Sequence, residues 1–154
     1  MKIATVISNL KTYIQGLSWT SDSGTGTTSF NGVFTYPNWE NTVGYPYVVI
    51  LDDSGSGISI DNYGIEFTTQ ISIHVCVNYA TIDKQDEDLQ REEAMIRLRE
   101  SWDYLKTKLF DITTMNTIGA EWIFEPTVND DYDEELNLYK KVITLNVKEY
   151  ISRG

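Results

Sequence analysis

The chain predicts an α+β fold: a mostly antiparallel β-sheet with an N-terminal helix and one long helix packed on one face, plus a protruding β-hairpin. Three observations carry this. Apolar residues recur at helical spacing in two places only, residues 3–17 and 83–111. Elsewhere the hydrophobic period drops to two, most clearly over residues 65–79. An Asn-Gly pair lies between strand-like flanks. With 154 residues, 41% of them hydrophobic, one domain spanning 1–154 holds enough apolar material for a core.

In the first helix Ile3, Ile7, Leu10, Ile14 and Leu17, widened by Val6 and Tyr13, form one buried stripe. Gly16 near its end suits a left-handed terminus. Residues 18–26, SWTSDSGTG, read as a loop. Asn31-Gly32 then suits a type I′ turn, whose central residues both need positive φ, and so predicts a hairpin of residues 28–30 against 33–36. Tyr47-Val48-Val49-Ile50-Leu51 reads as a buried strand that Asp52-Asp53-Ser54-Gly55 ends with turn chemistry. Ile58 and Ile60 suggest a short strand, and Asp61-Asn62-Tyr63-Gly64 a second turn. The longest strand covers 65–79. Its Ile71, Ile73, Val75, Val77 and Tyr79 face one way, and Gln70, Ser72, His74, Cys76 and Asn78 the other, so one face is apolar and one polar.

Residues 83–111 predict the clearest helix, with Met95, Leu98, Trp102, Leu105 and Leu109 along one face. Asp86, Glu87 and Asp88 at its start and Lys106 and Lys108 at its end complement the helix dipole. Glu93 and Arg97 are spaced for an i,i+4 pair. Residues 112–119 read as a loop. Strands over 120–128 and 136–151 close the chain, joined by the acidic run 129–135 as a hairpin loop.

Composition excludes several classes. With 23 Asp+Glu against 12 Lys+Arg the net charge is −11, which repels phosphate and argues against nucleic-acid binding. Four Trp, ten Tyr and five Phe are too many for a disordered acidic tail. Cys76 stands alone, so there is no disulfide framework. The longest plain apolar run, residues 47–51, is far short of the roughly 20 residues that span a bilayer. No targeting segment is visible, and the expectation is a soluble protein made in a reducing cytosol.

Candidate chemistry is sparse. His74 and Cys76 are the only His and Cys, but same-face neighbours on a strand sit about 6.5–7 Å apart and proton transfer needs about 3 Å. A polar sheet face is the better reading, and zinc would need more N/S ligands than the pair supplies. Gly24 and Gly26 form a lone G-x-G with no Lys-Ser or Lys-Thr after it. The run 130–135 lacks the glycine of a calcium-binding loop and reads as a solvated acidic tip. No catalytic residue, cofactor or metal ligand is therefore expected, and the chain reads as no enzyme. Trp102 belongs to the core. Trp19 and Trp39, in loop or hairpin context, are candidates for a protein interface or for local packing.

The whole-chain layout resembles the tail terminator proteins of long-tailed bacteriophages and related neck or tail-completion proteins. The resemblance lies in the N-terminal amphipathic helix, the variable loop and hairpin, and the Pro-led strand Tyr45-Pro46-Tyr47-Val48-Val49-Ile50. It continues in the long strand over 64–79, the acidic-started helix over 87–109, and the closing Tyr139-Lys140-Lys141-Val142-Ile143-Thr144-Leu145-Asn146-Val147. It covers nearly the full length and rests on order and pattern, with no signature motif. It implies a structural virion protein at the head–tail junction, assembled in the host cytoplasm. Such a protein caps the head-proximal end of the tail tube as a homohexameric ring, ending tube polymerisation and presenting a joining surface. The implied partners are further copies of itself, the tail tube protein and a head–tail connector or head-completion protein. Genome DNA would pass through the channel unbound, with no membrane involved. Charge fits at one point, because an acidic channel repels DNA, and Asp130, Asp131, Asp133, Glu134 and Glu135 are the channel-facing candidates. Trp19, Phe30, Asn31, Gly32, Val33, Phe34 and Trp39 are the candidates for contact with a neighbouring subunit or the tube. The alternatives are a head-closure ring, a tail tube subunit, an acidic DNA-mimic inhibitor, and an enzyme with a carboxylate site that sequence does not single out.

Overall fold

The computed structural model describes residues 3–21, 26–39, 44–61, 64–111 and 127–152. Helix α1 (Ile3–Gln15) is followed by the short strands β1 (Ser18–Thr20), β2 (Thr27–Ser29) and β3 (Val33–Phe34). Then come β4 (Tyr47–Asp61), β5 (Gly64–Asn78), a 3-10 turn (Tyr79–Thr81), α2 (Glu87–Leu109), β6 (Thr127–Asp133) and β7 (Leu138–Ser152). Among the described residues the main sheet has five strands in the order β3-β4-β5-β7-β6, and β1 and β2 form a separate two-stranded hairpin. Every pairing is antiparallel except β3 with β4. This is the expected α+β architecture, with α1 over β3 and β4 and α2 over β5 and β7.

Alternation along the strands decides which residues the helices cover. Val48, Ile50, Ile71, Ile73, Val75, Val77, Ile143, Leu145 and Val147 lie on the helix side and join one core with Val6, Leu10 and Ile14 of α1 and Ala94, Leu98, Trp102, Leu105 and Leu109 of α2. Burying one such side chain contributes roughly 1.5–3 kcal/mol. The centre of the α1 stripe is Val6-Leu10-Ile14, with Ile3, Ile7 and Tyr13 at its flanks. Asp86 caps α2, its carboxylate accepting from the Asp88 N–H at 2.7 Å.

Several local expectations are corrected. Gly16 is not left-handed; α1 ends on tight Gly16 N–H to Tyr13 O and Leu17 N–H to Ile14 O bonds of 3.1 Å each. The hairpin exists but lies earlier: residues 18–20 are strand rather than loop, paired with 27–29, and Gly26 supplies the positive φ of 120°. Asn31-Gly32 is no I′ turn, since neither residue has positive φ. It carries the chain from the small hairpin into β3, where Val33 and Phe34 pair in parallel with Val48 and Val49. The Asp52–Gly55 turn is instead a register shift inside one continuous strand, a bulge that bends β4 without reversing it. Strand β6 runs on to Asp133, so most of the acidic run is strand, and the turn lies at 134–137. The calls on residues 112–119, on most of 120–128, on Asn62-Tyr63, on Gly24 and on Trp122 fall outside the described residues.

The face of the sheet away from the helices is not a wet polar surface in its middle. A parallel β3–β4 pair forces the chain to travel back from the end of β3 to the start of β4. Residues 35–39 make part of that return across this second face. Tyr47, Val49, Cys76 and Leu138 are fully buried there, against Phe34, Trp39 and Leu51.

Candidate functional site

The acidic hairpin is built by cross-strand pairing. Asp130 lies opposite Lys141 and Asp131 opposite Lys140. The Lys141 ammonium donates to Asp130 at 2.6 Å, and Lys140 stands 3.4 Å from Asp131. Because side chains alternate, Asp130 points to the helix side and Asp131 and Asp133 to the other. The Asp133 carboxylate accepts the N–H groups of Glu135 and Leu136 at 3.1 Å each, which closes the turn. At Asn137 that turn takes the left-handed conformation (φ 56°), one an asparagine tolerates.

Glu134 reaches the long helix. Arg91 on α2 donates to Glu134 at 3.0 Å, to Glu87 at 2.8 Å, and to the hydroxyls of Tyr79 and Tyr139 at 3.0 and 2.8 Å. Its guanidinium also stacks on the Tyr79 ring, 4.3 Å from the centroid. The Tyr79 hydroxyl donates to Asn137 Oδ1 at 2.9 Å. The Arg91 hydrogen bond holds the Glu134 carboxyl below the usual carboxylate range, helped by Tyr79. Of the five acidic candidates, three thus face a lysine or arginine and Asp133 is spent on the turn. Glu135 has no ion pair among the described residues.

The candidates for subunit contact divide by burial. Trp19, Phe30 and Val33 enter the chain's own core; Trp19 packs edge-on against Phe30 and beside Tyr104, at 4.9 and 5.4 Å between centroids. Asn31 is exposed, and Gly32, Phe34 and Trp39 are half-buried. Trp39 lies on the second face, its ring 5.1 Å from that of His74, with the Lys140 ammonium 4.1 Å over it. Local packing therefore accounts for both candidate tryptophans, and the reachable part of the group is Asn31, Gly32, Phe34 and Trp39.

His74 and Cys76 share this face without forming a reacting pair. The thiol points at the His74 backbone carbonyl (3.7 Å), and the imidazole Nε2 meets the Ser72 hydroxyl at 3.0 Å. Burial pushes the thiol up to about 12, so it stays protonated and poorly nucleophilic. No three His, Cys, Asp or Glu side chains among the described residues are placed to hold a metal ion. No described helix is long and apolar enough to cross a membrane. An open groove of about 790 Å³ lies between the β1–β2 hairpin, residues 45–46 and the outer flank of α2. Arg97 shapes its wall. It donates to Glu93 at 3.1 Å and to the Gly44 carbonyl, and stacks 4.6 Å over the exposed Tyr45. A side chain at position 44 would come within 2.9 Å of Ile82, so this close approach requires glycine.

No protein-family model matches the chain, and no curated protein aligns with it significantly.

Sequence reasoning missed the Arg91 cluster, the lysines opposite the acids, and the segment over the second face. One signal for the lysines was present: Asp130-Asp131 and Lys140-Lys141 stand symmetrically about a turn at 134–137. Placing the hairpin turn there puts each acid opposite a base.

Proposed function

We propose that this chain is a structural virion protein that forms a ring at the head-proximal end of a phage tail tube, ending tube growth and joining the tail to the head. The observation that carries the reading is architectural. The expected sheet is there with both helices on one side, and its outermost strands, β3 and β6, have no further strand beside them among the described residues. Open sheet edges are where copies of a chain add to one another. β6 also exposes Val128 and Tyr132 beside its free edge. The groove is wide and open, which suits a contact surface better than an enclosed reaction site. On this reading the tube protein and a head-side connector are the partners, the tail–head junction is the location, and DNA passes without being bound.

The five acids remain the proposed channel-facing group, with a changed emphasis. Reversing Asp130 or Asp131 to lysine sets like charges opposite Lys141 or Lys140 and disturbs the hairpin itself. Glu135→Lys tests channel charge without that confusion. A DNA-mimic inhibitor is less well supported, because three of these acids are already neutralised by bases of the same chain.

Negative-stain electron microscopy with size-exclusion chromatography tests the main reading, on the protein alone and mixed with tail tubes. Closed rings, free or seated on one tube end, are the expected result. Long filaments of this chain would instead make it a tube subunit. A monomer that ignores tube ends would sink the proposal.

A further inference from the structure

The second face of the sheet is closed by an unusual cover. Among the described residues no main-chain hydrogen bond ties residues 35–39 to the strands beneath; the last anchors are Val48 N–H to Gly32 O at 2.9 Å and the two-residue β3–β4 pair. Beyond these the cover is held by side chains: Phe34 edge-on against Tyr47 at 6.1 Å, and Trp39 between His74 and Lys140. What lies beneath is poorly suited to burial. The Tyr47 hydroxyl is fully buried with no well-aligned hydrogen-bond partner among the described residues, only the weakly accepting Cys76 thiol beside it. Lys140 is only 7% exposed, and its one carboxylate, Asp131, stands at the rim. A buried hydroxyl without a well-aligned partner gains one when water returns, and the Lys140 ammonium, held by Asp131 and the Trp39 ring, regains hydration.

We propose that residues 35–39 form a detachable strap, which lifts off the second face from the end of β3 without global unfolding and uncovers Tyr47, Cys76 and Lys140. Opening loses the packing of Trp39 on His74 and its contact with the Lys140 ammonium and regains hydration of the Tyr47 hydroxyl and of that ammonium, so the net cost is well below that of unfolding the core on the other face. A β-carbon at position 32 would lie 2.8 Å from the Phe34 ring, so a side chain there pushes that ring aside and loosens the cover.

The single cysteine lies under the strap and reports on it. The experiment is the rate at which Ellman's reagent labels Cys76 at pH 8 across a urea series, beside the unfolding curve from circular dichroism. Dilute protein keeps the result independent of ring formation. In the unaltered protein the labelling rate without urea should exceed that set by global unfolding by roughly tenfold or more, with a shallower urea dependence. Gly32→Ala and Trp39→Ala should each raise it about tenfold further while the melt stays cooperative, and Tyr47→Phe should lower it several-fold. A rate in the unaltered protein that follows global unfolding, with the same urea slope, overturns the proposal even if a variant fails to fold. So does a folded Trp39→Ala protein that labels no faster.

Discussion

Tyr47 shows how one atom sets a local balance. Its ring is well placed, paired across the sheet with Cys76 and packed against Phe34, and only the hydroxyl is out of place. Burial, with the Cys76 thiol beside it, pushes the phenol well above its ordinary value, so it stays neutral throughout the working range. Removing that oxygen removes a desolvation cost and leaves the packing intact. Tyr47→Phe is therefore expected to stabilise the fold by about 1 kcal/mol, read as a higher urea midpoint at unchanged slope. A lower midpoint would mean that the hydroxyl has a partner in solution. The sequence made this face legible only in part. Alternation placed Ser72, His74 and Cys76 together correctly. It could not say that a segment thirty-odd residues earlier would lie over them, because nothing local in Phe34 or Trp39 reveals a parallel pairing two residues long.

At the scale of elements, the β6–β7 hairpin and the start of α2 act as one unit through Arg91. Runs of Asp and Glu discourage strands, so the acidic segment reads naturally as a loop. The opposing Lys140 and Lys141 reverse that preference, and this information lies across the sheet rather than within the run. The two helical patterns, by contrast, were legible to within a few residues, from the period in both and from the end charges in α2. The unit carries a pH signature. Glu134 has a folded-state pKa below its unfolded value, so its contribution is fully present above the unfolded carboxylate range near 4.3 and is lost as pH falls through the folded value. A thermal melt series from pH 6 down to pH 2.5 should therefore show a steeper acid decline in the parent than in Glu134→Gln. Parallel curves would remove Glu134 from the account.

For the whole molecule the governing quantity is charge. Each copy carries −11, so on the proposed function a ring of six would gather −66, and that repulsion would oppose closure. The bases that pair with Asp130, Asp131 and Glu134 are already counted in that net charge. On the proposed function, isolated protein should form rings more readily as salt rises from about 0.01 M to 0.15 M, where the screening length falls from about 30 Å to about 8 Å. Light scattering or sedimentation across that range measures it, and rings that fall apart with added salt would place attraction, not repulsion, at the joints.

The resting place of Trp39 also dictates a timetable. Its ring sits between His74 and Lys140, on strands from the middle and the last part of the chain. A polypeptide leaving the ribosome presents this tryptophan long before Lys140 exists, so the ring has nowhere complete to settle until β7 emerges. The cover must therefore wait for β7, and a fastening made late is the same one that the strap is expected to release first.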